Sequence, residues 1–241
     1  METSEYARIA QLEDSHWWYV GMRAIARDVL KNVSLPGPAK ILDAGCGMGG
    51  GLRWLAEFGA VAGVDLHPLA VRHSQTVSPQ VAQASIQQLP FPAKTFDLVT
   101  SFEVLYHWNV SSDENALREF VRVLKPGGWA LVRVPAHNWL RGAHDGQTHT
   151  RHRYNAPELR LKLEHAGLHV RRLTSVGSFL LPAAVFRRFA QPKTHPVSDV
   201  QLPPAFLNHM LTRLLSAERF WLRWAPLPFG LSLLALAQKN L

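Results

Sequence analysis

Apolar segments alternate with helix-compatible segments through most of the chain, and this alternation restricts the fold more than any other feature. The apolar segment Ala39–Ala44 ends at a run of glycines, and a helical pattern separates it from each later apolar segment. Strands joined by helices form a mostly parallel sheet with helices on both faces. We therefore predict an α/β fold. Its strands are expected at 39–44, 61–65, 81–85, 96–102, 129–134, 168–175 and 231–237, and its helices at 1–35, 50–58, 68–76, 113–124, 156–166 and 206–224.

The end of the chain departs from this alternation. The connection 176–230 between the last two predicted strands is far longer than a usual loop, and its second half has the apolar spacing of an amphipathic helix. We expect a single domain over 1–241 with four parts. They are an N-terminal helical lid (1–35), a ligand-binding core with a substrate loop (36–175), a helical insertion (176–230) and the last strand (231–241).

Composition narrows the class of protein. Apolar residues make up 47% and charged residues 18%, which excludes a largely disordered chain, and the single cysteine excludes a disulfide framework. No uninterrupted apolar run reaches about 18 residues, and the first residues do not resemble a signal peptide. These features predict a cytoplasmic protein, with peripheral membrane contact left open.

Positive charge is concentrated in one segment. The formal net charge is +8, and residues 141–193 carry 10 basic against 3 acidic residues. Such a segment attracts an acidic small molecule, a lipid head group or nucleic acid, or is simply a solvated face. Because no nucleic-acid-reading module is visible, nucleic acid is the disfavoured partner.

A glycine-rich loop follows the first predicted strand. Ile41-Leu42-Asp43 leads into Ala44–Gly51, and Asp65 ends the second strand, where a carboxylate can accept hydrogen bonds from both hydroxyls of a ribose. The pattern indicates a nucleoside-containing ligand. Gly45, Gly47 and Gly50 also fit G-x-G-x-x-G, so an NAD-dependent oxidoreductase is an alternative, although Asp43 is unusual for a dinucleotide opening.

Four motifs in order resemble the class I S-adenosylmethionine-dependent methyltransferases. They are Ile41–Gly49, Val64-Asp65-Leu66, Leu89-Pro90-Phe91 with Phe96–Val99, and Leu117-Arg118-Glu119 with Arg122–Gly128. The resemblance implies a Rossmann-like sheet of seven strands, the sixth and seventh antiparallel. It also implies S-adenosylmethionine as methyl donor and S-adenosylhomocysteine as product.

The resemblance carries cofactor roles onto individual positions. Asp43 and the loop Gly45–Gly49 would hold the methionine end, Asp65 the ribose, and Leu66 and Ile86 the adenine. Ser85 stands where the family often has an aspartate. The cofactor-binding residues predicted in this way are Asp43, Gly45, Cys46, Gly47, Gly49, Asp65, Leu66, Ser85, Ile86, Ser101 and Phe102.

Two histidine-containing segments lie where the family binds its acceptor. One follows the fourth strand, and the other is 135–154, directly after the fifth. Predicted catalytic residues are His107, His144, Asp145, His149 and Tyr154; predicted substrate-binding residues are Trp17, Trp18, Tyr19, Tyr106, His107, His152 and Arg153. Tyr106 replaces an acid found in relatives that use a metal, and no carboxylate or cysteine completes a set around His149 and His152, so no metal is predicted.

The sequence thus predicts a methyltransferase acting on a small-molecule or lipid-linked metabolite, anionic or partly hydrophobic. The acceptor atom is open among oxygen, nitrogen, carbon and sulfur, with oxygen slightly favoured because histidines suit proton removal. A non-methylating protein on the same fold and the NAD-dependent oxidoreductase stand as alternatives, and the oligomeric state is open.

Overall fold

The computed structural model describes residues 3–142, 145–146, 148–190 and 202–241. In chain order its principal elements are α1 (Thr3–Leu12), α2 (Trp17–Lys31), β1 (Ala39–Ala44), α3 (Gly50–Leu55), β2 (Gly59–Asp65), α4 (Pro68–Ser74), β3 (Val81–Gln83), β4 (Phe96–Phe102), α5 (Asp113–Val123), β5 (Leu124–Pro135), α6 (Ala156–His165), β6 (Leu168–Val176), α7 (Leu181–Ala190), α8 (Ala205–Leu222) and β7 (Ser232–Lys239).

The strands form one seven-stranded sheet in the order β3-β2-β1-β4-β5-β7-β6. The neighbouring strands from β3 to β5 pair in parallel, whereas β7 runs antiparallel to both β5 and β6. This arrangement confirms the predicted fold class. The direction of strand crossover reverses between β1 and β4, and ligands bind at the carboxyl ends of strands beside such a reversal.

Both faces of the sheet are buried, which explains why its strands are apolar throughout rather than alternating. Successive residues point to opposite faces: Ile41 belongs to one core cluster and Leu42 to the other. The first cluster is completed by α2, α3 and α8, and the second by α5 and α6.

The insertion packs against the N-terminal helices. The side chain of Leu215 in α8 lies where α2 has a glycine, and a Cβ atom on Gly21 would come within 2.6 Å of it. The Trp17 N–H donates to Asn208 Oδ1 (2.9 Å), and Arg223 forms an ion pair with Asp28. Residues far apart in sequence therefore form one helical layer on this face of the sheet.

Two of the predicted elements differ from the structure by more than a small shift of their ends. The predicted helical region 1–35 contains two helices, because the chain turns at 13–16 and His16 caps α2 by accepting from the Trp18 N–H (3.3 Å). No proline or glycine marks that turn in the sequence. Strand β5 begins at Leu124 rather than at Trp129, because Leu124 already pairs with Phe96 of β4; the register then shifts before Trp129 pairs with Leu98. None of the described helices has both the length and the apolar character needed to cross a bilayer.

Candidate functional site

A cavity of about 1240 Å³ lies at the carboxyl ends of β1, β2 and β4. Its floor is the glycine loop after β1, and its walls come from α1, α2, the segments after β2 and β4, and the inner side of α7 and α8. Typical small-molecule sites have about 300–1,000 Å³, so this volume accommodates a nucleoside cofactor together with a second molecule.

The glycine loop is held to β2 by its backbone. The N–H groups of Gly45 and Cys46 both donate to the Val64 carbonyl, at 2.8 and 2.9 Å. Gly45 has a φ of +91°, and a Cβ atom there would lie 2.3 Å from Val104 Cγ2. Gly47 has a φ of +54°, but a Cβ atom there would meet no heavy atom within 4 Å. Packing against Val104 therefore requires a glycine at position 45. At position 47 there is open space beside the backbone, which a ligand can approach.

The Asp65 carboxylate lies at the cavity wall beyond β2. Its Oδ2 accepts from the Gly47 N–H (2.9 Å) and its Oδ1 from the His67 N–H (2.9 Å). These bonds fix the carboxylate and leave a second lone pair on each oxygen for a ligand donor. Burial raises the pKa of Asp65, and the two backbone donors oppose that rise. This geometry fits the paired hydroxyls of a ribose.

Asp43 is the second carboxylate at the cavity wall. Its side chain is buried and accepts from Thr100 Oγ1 (2.8 Å), and Gly51 leaves room for it, since a Cβ atom there would lie 2.3 Å from Asp43 Oδ2. Burial raises the pKa of Asp43 to about 7; the Thr100 hydrogen bond lowers it and the Asp65 charge raises it. A cationic ligand group beside Asp43 would favour its charged form. The glycine cradle and two carboxylates thus fit S-adenosylmethionine, which has a ribose and two positive groups.

The predicted adenine-binding positions lie together at one end of the cavity. Leu66, Ser85 and Ile86 all line it, and Leu66 is 44% exposed. Tyr6 of α1 also lines this end, and its ring stacks on His67 with centroids 4.4 Å apart. An aromatic residue of α1 therefore covers the region where the sequence predicts a nucleoside base.

The other end of the cavity is aromatic and contains the ion pair between Arg133 and Glu103. Trp17, Trp18, Tyr19, Phe102, Tyr106 and His107 line it. Arg133 of β5 also lines the cavity; its Nε donates to Glu103 Oε1 (2.9 Å), and its guanidinium lies over the Phe102 ring at 5.2 Å. Glu103 has a φ of +61°, a backbone conformation rare for a residue with a side chain.

His107 is neutral over most of the pH range. Burial lowers its pKa to about 4, and His149 contributes to that shift. General bases are most effective when their pKa is close to the working pH. His107 is therefore a weak base, although its ring nitrogens can still orient a ligand.

The loop after β5 contains an ion pair between Arg153 and Asp145. Arg153 binds both oxygens of Asp145, at 2.7 and 3.2 Å, and the Gly142 N–H donates to Asp145 Oδ2 (2.7 Å). Asp145 and Arg153 line the cavity. His144 lies outside the described residues. The Asp145 carboxylate holds the loop together through Arg153, and its pairing with His144 as a base stays a prediction.

Five other predicted site residues do not line the cavity: Gly49, Ser101, His149, His152 and Tyr154. The buried Tyr154 hydroxyl donates to Asp113 Oδ2 (2.7 Å), and the Ser101 hydroxyl donates to the Ala44 carbonyl (2.9 Å). The His152 Nε2 lies 2.7 Å from Glu158 Oε1. Gly49 packs against Ser74, and the His149 ring lies beside that of His107. In these positions the five residues support the cavity walls, and their direct contact with a ligand stays a prediction.

Many of the cavity residues are absent from the predicted set, among them Tyr6, Glu13, Arg23 and Arg133. Arg133 could have been found, because it is a charged residue within the otherwise apolar segment Ala130–Val134. Glu13, Arg23 and Tyr6 reach the cavity only through the packing of α1 and α2, which local sequence patterns do not reveal.

Comparisons with known proteins agree with this geometry. Residues 42–132 match the family model described as a methyltransferase domain. A Mycolicibacterium smegmatis protein named "Probable S-adenosylmethionine-dependent methyltransferase" is 34% identical over 137 residues, covering 54% of this chain and 52% of that protein. The demethylmenaquinone methyltransferase of Tropheryma whipplei is 31% identical over 126 residues, covering 50% and 48% respectively. The chain thus matches about half the length of these curated relatives.

A solved structure is similar over nearly the whole chain. The S-adenosylmethionine-dependent methyltransferase from Mesorhizobium loti superposes with a TM-score of 0.62 and 18% identity, covering 94% of this chain and 99% of that chain. At this identity the similarity concerns the fold alone. It extends to the helices outside the segment matched by the family model.

The fold and the site resemble those of class I S-adenosylmethionine-dependent methyltransferase domains, with a reversed seventh strand and a glycine loop facing the acidic residue at the end of β2. Residues 42–132 belong to the methyltransferase domain family, whose cofactor is S-adenosylmethionine. The predicted family and cofactor are confirmed. The matched family gives no support to the NAD-dependent oxidoreductase.

Proposed function

We propose that the whole protein transfers a methyl group from S-adenosylmethionine to a small, partly hydrophobic acceptor that carries an ionised oxygen. One observation carries the proposal: a single cavity joins the glycine loop, Asp43 and Asp65 to a second, aromatic compartment that contains Arg133. The bound cofactor supplies a methyl group already activated by its sulfonium. The protein then mainly needs to align the acceptor and exclude water.

The proposed cofactor contacts follow from the fixed groups of the cavity. Asp65 accepts from the ribose hydroxyls, Asp43 stabilises the positively charged methionine end, and Leu66 and Ile86 enclose the adenine. Tyr6 covers the base from α1. Gly47 supports this arrangement because its open side lets a ligand approach the backbone.

The proposed acceptor site is the aromatic compartment. Trp17, Trp18 and Tyr19 at the start of α2 form its cover and exclude water from the reacting atoms. The guanidinium of Arg133 can bind an anion there. Within the described part of the chain, Nε is its one nitrogen with a hydrogen-bond partner, so the other two nitrogens can donate to a ligand. A carboxylate or phenolate oxygen of the acceptor is the expected partner.

The charge state of His107 favours an acceptor that ionises without help. With a pKa of about 4, His107 would remove a proton from a high-pKa alcohol poorly. A carboxylic acid or an acidic phenol is already deprotonated at neutral pH. We therefore infer oxygen methylation, with His107 orienting the acceptor.

Calorimetric titration with S-adenosylhomocysteine tests the cofactor site directly. Wild-type protein should bind one equivalent, and Asp65→Ala should weaken binding at least tenfold, equivalent to about 1.4 kcal/mol. Glu114→Ala is the matched control, because this exposed carboxylate lies on α5 outside the cavity. Binding of NAD in preference to S-adenosylhomocysteine, or unchanged affinity in Asp65→Ala, would contradict the proposal.

A further inference from the structure

Helix α8 is apolar on two opposite sides. Its inner side contributes the core residues Leu215 and Leu222, which are buried against α2 and the sheet. Its outer side exposes large apolar side chains at helical spacing, with Phe206 83% exposed. We define the outer face of α8 as Phe206, Met210, Arg213, Leu214, Trp221 and the adjoining Trp224. A helix that is apolar on two sides is expected to have a partner on each.

Nothing among the described residues covers this outer face. Trp224 is 90% exposed and Trp221 is 55% exposed. Isolated exposed apolar residues are ordinary, but a contiguous stripe along one helix marks an interaction surface.

The charge of this surface indicates what covers it. Arg213 is exposed within the outer face. In the described parts of 177–231 the one acidic residue is Glu218, which is buried and accepts from the N–H groups of Gly177 (2.8 Å) and Phe179 (2.7 Å). The outer face therefore combines tryptophan, phenylalanine and arginine without an exposed carboxylate. This composition is typical of helices that lie in the interface of an anionic bilayer.

The same helix also borders the cavity. Leu211 on the inner side of α8, together with Leu180 and Ala183 near α7, lines the cavity wall. An α-helix with side chains is about 10–12 Å thick. A surface that covers the outer face would thus lie one helix away from the aromatic compartment.

We propose that the outer face of α8 docks on an anionic membrane surface. The helix has 18 residues and lies along the surface, with Trp221 and Trp224 among the head groups and Arg213 beside their phosphates. A second copy of the chain fits less well, since a two-fold contact through this face would bring cationic surfaces together without a counter-charge. Docking would give an acceptor dissolved in the membrane access to the cavity, and this consequence rests on the proposed function.

Vesicle flotation of the full chain tests the docking surface. The protein should float with vesicles of phosphatidylcholine containing phosphatidylglycerol, and much less with phosphatidylcholine alone. The double variant Trp221→Glu/Trp224→Glu should reduce binding to the anionic vesicles at least tenfold. Leu161→Glu is the matched control: Leu161 is 53% exposed on α6, which packs on the opposite face of the sheet, so this variant should bind as wild type does.

Two further measurements make the test decisive. Calorimetry with S-adenosylhomocysteine should give the same affinity for both variants and wild type, which shows that they are folded. If wild type does not bind S-adenosylhomocysteine, the proposed function is contradicted, but the flotation result still tests the docking surface. Absence of flotation, or flotation unchanged in the double variant, would overturn the docking proposal. So would a dimer in sedimentation velocity that the double variant dissociates, because the occupant would then be a second copy.

Discussion

At the residue scale, the buried Asp43 carboxylate is the reason why we expect the site to favour a cationic ligand and to respond to pH. Asp43 has a pKa of about 7 against an ordinary value of 3.8, because burial disfavours its charge. Because folding raises this pKa, protonation of Asp43 stabilises the folded chain. The stabilisation is complete at pH values below 3.8 and is lost as the pH rises through 7. The ligand-free protein should therefore lose stability between those pH values, and a cationic ligand should bind more tightly as Asp43 ionises.

We predict that affinity for S-adenosylmethionine rises as pH increases toward 7 and then levels off. One group can change the affinity by at most tenfold per pH unit. In Asp43→Asn the affinity should depend much less on pH. The stability of the ligand-free variant should also fall much less over the same pH range. Titrations at several pH values, compared between the two proteins, isolate Asp43 from Asp65 and Glu13, whose pKa values are also raised. Identical pH profiles would refute the assignment.

Sequence patterns predicted the residues whose role follows from local backbone geometry. Gly45, Gly47 and Asp65 belong to one loop and the end of the adjoining strand, so their spacing along the chain largely determines their separation in space. Tyr154 and His152 were predicted as ligand contacts, but the Tyr154 hydroxyl meets Asp113, which lies far along the chain, and the His152 ring meets Glu158 of α6. Short motifs do not encode such partners.

At the element scale, the close contact between α2 and α8 positions both the aromatic cover and the outer face. Gly21 allows Leu215 to approach the α2 backbone, and Leu215 is fully buried. The strands were predicted well because a buried parallel strand is a short apolar run between turn signals. The division of 1–35 into two helices was missed, since contacts with α8 and the cap at His16 create it.

We expect Gly21→Ala to lower the free energy of unfolding by about 1–3 kcal/mol, because the new Cβ atom overpacks against Leu215. Leu215→Ala should cost about 2–5 kcal/mol by leaving a cavity. The double variant should be less destabilised than the sum of the two, since each change relieves the other. Urea unfolding of all four proteins measures this coupling, and strict additivity would show that the two residues do not meet.

At the scale of the whole molecule, the cavity is enclosed by parts of the chain that are distant in sequence. Tyr6 of α1, the loop after β1 and Leu211 of α8 all face it. A ligand that contacts all three should therefore stabilise the complete fold rather than one loop. The sequence predicted a lid at 1–35, but not the wall formed by the insertion, because that wall depends on how the insertion packs across the N-terminal helices.

S-adenosylhomocysteine at a hundred times its dissociation constant should stabilise the fold by about 2.7 kcal/mol. For a chain of this size that corresponds to a rise in Tm of about 5–11 °C. Thermal unfolding followed by circular dichroism measures the rise. Asp65→Ala, with affinity at least tenfold weaker, should remove about half of the rise or more at the same ligand concentration, and an equal rise in the variant would place the ligand elsewhere.

The position of β7 has a consequence for synthesis on the ribosome. Within the described sheet, β6 pairs with β7 alone, and β7 lies between β5 and β6. Strand β6 must therefore wait until residues 177–239 have been translated, which takes roughly 3–13 s at about 5–20 residues per second. During that interval β6 exposes unpaired backbone groups to other nascent chains. The long insertion lengthens the period in which a chaperone would be of use to this protein.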